Sequence, residues 1–205
     1  MGYNGSGLEI PEGVPHPMRS FFRETLITAI MALVIFTGLQ FTVQNFPIEG
    51  SSMTPSFPDG QRLLVNKLIY RFFHEPQRGD VIVFKAPESP TDDYIKRIIG
   101  FPGETVSVKD GLVSIQTVDG EVVSITEPYV SFEASHSFRG LLIPENEYFV
   151  MGDNRNKSSD SRAGWTVPDK NIIGKAWIVL WPPSQFGLAG NYPLTEQIAT
   201  TATGK

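Results

Sequence analysis

The sequence predicts a mostly β protein: a coiled or closed antiparallel β domain behind one N-terminal transmembrane helix. Three observations carry this. No residue from Thr25 to Ile48 is charged, although 19% of the 205 residues are. Beyond that stretch, short runs dominated by Val and Ile follow one another, punctuated by "RGD", "FPGE", "KDG" and "VDG", which is how strands and tight turns read. There is no internal repeat and no alternation of strand and helix patterns, so the strands are expected to pair antiparallel rather than through βαβ crossovers.

Taken in order, residues 1–18 are rich in Gly and Pro and are expected to form an unpacked tail. Residues 19–46 read as the membrane anchor. As a helix, the uncharged stretch measures roughly 36 Å against about 30 Å of hydrocarbon. Its centre, "LITAIMALVIFTGL", is strongly apolar and "QFTVQN" is more polar, which places the span from Leu26 to about Phe46. Arg19 and Arg23 precede the span and Glu49 follows it. The positive-inside tendency therefore puts the tail in the cytoplasm and the rest on the outer side, periplasmic, extracellular or lumenal. A cleaved signal sequence is disfavoured because no small-x-small pair follows the apolar run. A soluble core helix is disfavoured because the run lacks an amphipathic stripe.

Residues 47–186 form the expected β domain. Its strand candidates are "RLLVNKL", "DVIVF", "YIKRIIGF", "ETVSVK", "LVSIQT", "EVVSI", "EYFVMG" and "IIGKAWIVLW", with a small insertion at about 110–145. Only "NKLIYRFF" (66–73) has the pattern of a short helix. Residues 187–205 read as a polar C-terminal tail.

Composition removes several functions. The net charge is -5 without a Lys/Arg cluster, which argues against nucleic acid as a partner. Cysteine is absent, so disulfides and a thiol nucleophile are excluded. The zinc motif H-E-x-x-H, the G-x-S-x-G elbow, the Walker loop and S-x-x-K are all missing. Of the histidines, His16 lies on the far side of the predicted anchor, and His74 and His136 sit in polar segments without a motif.

Serine with lysine remains. Lysine acts as a base only when neutral, which near pH 7–8 requires its pKa to fall about three units from about 10.4, or roughly 4 kcal/mol. Burial supplies such a shift, so the base belongs in an apolar strand. Lys96, in "YIKRIIGFPG", fits, with Tyr94 and Ile98 on its face by alternation; an edge-strand lysine that guards against aggregation has the same pattern. "EGSSMTPSF" (49–57) offers adjacent serines, Ser51 and Ser52, just past the anchor. "MGDNRNKSSDSR" (151–162) follows an apolar run and holds enough Asp, Arg and Ser for a charge-assisted network.

These stretches, in this order behind one membrane span, resemble the type I signal peptidases, which remove signal peptides from exported preproteins with a serine–lysine dyad. "GSSMTPSF", "RGDVIVF", "YIKRIIGFPGE" and "GDNRNKSSDSR" match the family's motifs, and the resemblance covers roughly residues 19–183. It implies that Ser52, directly before Met53, is the nucleophile and Lys96 the general base. It implies that Ser158 orients the lysine amine, and that Asp160 with Arg162, and Arg97 with Asp153, form supporting ion pairs. The oxyanion donors fall on the N–H of Ser52 and the position of Gly50. There some members carry a serine hydroxyl; its absence here leaves a backbone N–H or a water. Phe46, Ile48, Met53, Phe57, Tyr94 and Ile95 match positions around the substrate pockets. The implied partners are preprotein signal peptides with small residues at the cleavage site, bound as an added strand, and membrane lipid. No metal, cofactor or nucleic acid is implied. The chain departs from the family pattern at "PSF" and at "AGWTVP" after Arg162, and Lys157 adds a charge beside Ser158. A β domain that only binds a partner would have lost Ser52 or Lys96. Other Ser–Lys proteases, such as a self-cleaving repressor or an organelle inner-membrane peptidase, share the dyad; the span disfavours the repressor.

Overall fold

The computed structural model describes residues 17–131, 134–192 and 194. Most of the expected N-terminal tail and of the C-terminal tail, residues 1–16 and 195–205, lie outside them. The chain divides into two compact units at Phe41/Thr42.

Helix α1 runs from Pro17 to Thr42. Proline at its first position is compatible with helix entry, where the missing N–H has no intrahelical partner anyway. Its apolar side chains, Leu26, Ile30, Leu33 and Phe36 among them, are more than half exposed, as a lipid-facing helix requires. Thr25 and Thr28 donate their hydroxyl protons to the carbonyls of Phe21 and Glu24, each at 2.9 Å. Neither hydroxyl is thus left unpaired in an apolar surrounding.

The helix ends four residues before the expected anchor boundary at residue 46. Val43–Pro47 is a strand, β1, paired antiparallel with β2 (Arg62–Asn66) so that Phe46 lies opposite Leu63. The polar residues Gln44 and Asn45 leave the helix and join the β domain, and Phe46 enters its core at 8% exposure. A strand embedded in an uncharged run carries no signal in composition, which is why the sequence assigns it to the anchor.

The rest of the domain comprises β3 (Val81–Lys85), β4 (Asp93–Gly100), β5 (Thr105–Lys109), β6 (Leu112–Gln116), β7 (Val122–Ile125), β8 (Phe138–Leu142), β9 (Glu147–Met151), β10 (Val167–Pro168), β11 (Ile172–Trp181) and β12 (Gly187–Leu188). The expected helix at 66–73 contracts to one turn, α2 (Ile69–Phe72), started by the Asn66 Oδ1, which accepts from the N–H groups of Leu68 and Ile69. All strand pairs are antiparallel. The main sheet has the order β1-β2-β11-β3-β4-β9-β10, with β12 added on β11. Among the described residues this path has two ends, so of the coiled and closed alternatives it is the coiled one. Register breaks in β11 and β4 supply the bends. The insertion is a separate four-stranded sheet, β7-β6-β5-β8, which begins at Thr105 because β5 pairs with β6 and β8.

β3 is buried on both faces: Val81 and Val83 join the core under β1 and β2, while Ile82 and Phe84 pack with Ile98 and Val150. β11 closes the first of these cores through Ala176 and Val179. The chain does not become a free polar tail at residue 187. β12 pairs with β11, Leu194 is 1% exposed, and the Asn191 Oδ1 accepts from the Val81 N–H at 2.8 Å. Apolar residues so widely spaced in "LAGNYPL" leave no periodic trace.

Candidate active site

The loop after β1 is closed at its base by backbone bonds between Ile48 and Gln61 and between Gly60 and Ile48. Met53 (0% exposed) and Phe57 (1%) plug into the core below. They fix the segment between them, and apolar burial is the force that holds it. Ser52 is left half-buried at the loop's inner edge while Ser51 is exposed. Gly50 has φ +88°, a region open to glycine, and its N–H donates to Asp59 Oδ1 at 2.8 Å. The Gly50 amide is therefore engaged, whereas the Ser52 N–H has no hydrogen-bond partner among the described residues.

β4 brings Lys96 to this serine. Lys96 is 4% exposed, and its Nζ lies 2.9 Å from Ser52 Oγ, 2.9 Å from the Ile95 carbonyl oxygen and 5.3 Å from the centre of the Tyr94 ring. Burial lowers its pKa from 10.5 to about 8, although Asp160 and Asp153 pull the other way. An amine with that pKa is partly neutral near pH 7–8, and neutral amine can take a proton from a hydroxyl 2.9 Å away.

Two carboxylates brace the site. Asp153 receives a bidentate bond from Arg97 (Nε–Oδ1 2.9 Å, Nη2–Oδ2 2.6 Å), and both side chains are fully buried. Arg97 also donates to the carbonyls of Gly79 and Gly190 and stacks against Tyr129 at 4.0 Å. Asp160 accepts from Arg162 Nε and Nη2, both at 2.8 Å, and from the Gly152 N–H at 3.0 Å. Burial alone would raise the Asp160 pKa, but the Arg162 guanidinium, the Gly152 amide and the Ser158 hydroxyl outweigh it and hold the carboxyl below its ordinary value.

The Ser158 Oγ is buried and is among the groups that hold the Asp160 carboxyl low, while the lysine amine bonds to Ser52 and the Ile95 carbonyl. The hydroxyl faces Gly152, where an added Cβ would meet it at 2.2 Å and the Ser52 carbonyl oxygen at 2.5 Å. Only glycine allows this approach of the two loops. Asn154 ties them further: its N–H donates to the Ser52 carbonyl at 2.9 Å and its Nδ2 to the Ser51 carbonyl at 3.0 Å. Both residues stand in the polar run that the sequence singled out. Nothing in one polar loop says which of its members reaches back about one hundred residues.

An open groove of about 440 Å³ passes the dyad, with Gln44–Pro47 of β1 on one side and Asp93–Lys96 of β4 on the other. Among the described residues β1 pairs only with β2, and β9 joins β4 only from Arg97 onward. Two strand edges without a neighbouring strand thus border the same groove. Of the six expected pocket residues, Phe46, Tyr94 and Ile95 line it; Ile48, Met53 and Phe57 do not, being packed in the core beneath at 0–2% exposure. Ser159 joins the lining. Among the described residues, His74 and His136 hydrogen-bond to their neighbours Glu75 and Ser135. Among the described residues no three His, Cys, Asp or Glu side chains gather into a metal-binding group.

A family model described as "Signal peptidase, peptidase S26" matches residues 19–181. A probable signal peptidase I-1 of Synechocystis is 36% identical over 187 residues, covering 87% of this chain and 92% of that protein. Signal peptidase I of Bacillus licheniformis is 37% identical, with 77% and 85% covered. The thylakoidal processing peptidase 1 of Arabidopsis thaliana is 32% identical, with 77% of this chain and 47% of that protein covered.

Proposed function

Because the chain belongs to the signal peptidase family, peptidase S26, we propose that it is a serine endopeptidase that cleaves signal peptides from exported preproteins at the membrane surface, with Ser52 as nucleophile and Lys96 as general base. The observation that carries this is the 2.9 Å contact between Ser52 Oγ and a buried lysine amine with a lowered pKa, on a groove bordered by unpaired strand edges.

The residues suggest a definite sequence of steps. An extended substrate adds to the free edges as a strand, with the small side chains at the first and third positions before the cut facing Phe46, Tyr94 and Ile95. Neutral Lys96 takes the Ser52 hydroxyl proton as Oγ bonds to the scissile carbonyl carbon. The carbonyl electron pair moves to oxygen, which the Ser52 N–H stabilises. The intermediate collapses, the C–N bond breaks, and the Lys96 ammonium gives its proton to the leaving amine. A water that loses a proton to Lys96 then attacks the ester, and Ser52 Oγ leaves and recovers its proton. This cycle uses no metal or cofactor.

The test is incubation of the purified full chain in detergent with a preprotein, followed by mass mapping of both products. One cut is expected, directly after a small residue with another small residue two positions upstream; no cut, or a cut without that pattern, would sink the reading.

The single apolar helix fits a one-pass membrane anchor. With Arg19 and Arg23 at its N-terminal end and Glu49 after it, the β domain is assigned to the outer face. In sealed vesicles with the cytoplasmic side inward, added protease should digest the region beyond residue 50 and spare residues 1–18. The reverse protection pattern would overturn this orientation.

A further inference from the structure

We propose that Asn154 is a positioning residue that orients and strengthens the oxyanion-binding N–H of Ser52 by holding the other end of the same peptide group. The inference rests on the Ser52–Lys96 reading of the site. The Ser51 C=O and the Ser52 N–H belong to one planar trans peptide and point in opposite directions. Fixing the oxygen therefore fixes the line along which the N–H points. Two donors fix it: the Thr54 N–H at 3.2 Å, from within the loop, and Asn154 Nδ2 at 3.0 Å, from the opposite loop. The Asn154 N–H also binds the next carbonyl, that of Ser52, at 2.9 Å. Both peptides that flank the nucleophile thus hang on one residue.

That residue is itself anchored. It follows Asp153, which the buried Arg97 holds in a bidentate bond, and Arg97 follows the lysine base on β4. It lies two residues past Gly152, whose lack of a side chain lets the loops approach. A hydrogen bond to a carbonyl polarises the whole amide and makes its N–H a better donor. The Asn154 side chain therefore acts on the strength of the oxyanion contact as well as its direction. Being on the far side of the peptide plane from the N–H, it touches neither substrate nor dyad.

The experiment compares wild type, Asn154→Ala and Asn154→Asp. The aspartate keeps the size and the backbone bond but turns an acceptor toward the Ser51 carbonyl. Three quantities are read: kcat/KM on a signal-cleavage peptide across pH, the affinity of a peptide aldehyde, and the affinity of the cleaved product peptide. Ser52 Oγ adds to the aldehyde carbon, its proton passes to Lys96, and the former carbonyl oxygen occupies the oxyanion position. Both variants are expected to lose about 10- to 100-fold in kcat/KM, short of the 10²–10³ that follows outright removal of an oxyanion donor. Aldehyde affinity should fall by the same factor, with product-peptide affinity unchanged in both variants and the pH midpoint unchanged in Asn154→Ala; the added carboxylate of Asn154→Asp moves the midpoint upward. Wild-type kcat/KM in both variants, an unchanged aldehyde affinity, or a matching loss of product affinity would overturn the proposal. If the wild-type protein neither processes the peptide nor binds the aldehyde through Ser52, the underlying reading falls, and this inference with it.

Discussion

Replacing Ser52 with alanine, or Lys96 with methionine, is expected to abolish preprotein processing while leaving the fold intact. In the proposed cycle both groups take part in the proton transfer and the covalent step, so neither substitution should leave a slower version of the same route. Losses on the order of 10⁴–10⁶ in kcat are the scale for removing a nucleophile or its base. Methionine is the informative choice at position 96. It keeps the length and apolar contacts of a side chain that is 4% exposed and removes only the amine, so thermal stability should hold or rise. Ser51→Ala is the matched control: its side chain is exposed, and only its backbone carbonyl is used. Equal losses for Ser51→Ala and Ser52→Ala in folded protein would remove Ser52 from its role.

The largest effect on stability is expected at Asp153. Arg97 and Asp153 are both 0% exposed and bonded at two points. Asp153→Ala leaves a guanidinium in the interior with carbonyl oxygens and aromatic rings but no counter-charge. Breaking a buried pair from one side costs about 3–5 kcal/mol, a large share of the 5–15 kcal/mol that separates folded from unfolded domains. At about 2–4 °C per kcal/mol for a chain of this size, melting should fall by roughly 6–20 °C. Activity should fall with it, because Lys96 precedes Arg97 and Asn154 follows Asp153. Removing both charges, as Arg97→Met with Asp153→Leu, should recover much of the melting temperature, since no lone charge remains. A single Asp153→Ala that melts within 2 °C of wild type would show that the pair does not brace the site.

The chemistry of the site was more legible in the sequence than its walls. Lys96 could be picked out as the candidate base because a buried base needs apolar strand neighbours, and on β4 it is 4% exposed, directly after the buried Ile95. Ser52 could be separated from Ser51 only by the family motif; in the structure the difference is that Met53 and Phe57 enter the core and turn Ser52 inward. β1 was invisible because an uncharged strand directly after an apolar helix has the composition of the helix. Ile48, Met53 and Phe57 were expected around the pockets and instead form the floor under them, a distinction that depends on loop direction and not on hydrophobicity. At the position of Gly50 the sequence left a backbone N–H or a water as the second donor, and the Gly50 N–H itself is engaged by Asp59, nine residues on. The Asn154 bonds join segments that only the assembled sheet brings together.

The central claim is that a neutral, buried Lys96 activates Ser52, and the pH dependence of kcat/KM tests it most directly. Protonation removes the base, so activity must be lost as pH falls through the lysine pKa in the free enzyme and reach a plateau above it. With burial lowering that pKa to about 8, the rate on a signal-cleavage peptide should rise about tenfold per unit below pH 8, bend near that value and level off above it. A profile that is flat between pH 6.5 and 9.5, or one that bends only near the ordinary lysine value of about 10.4, would contradict the claim that Lys96 is the base.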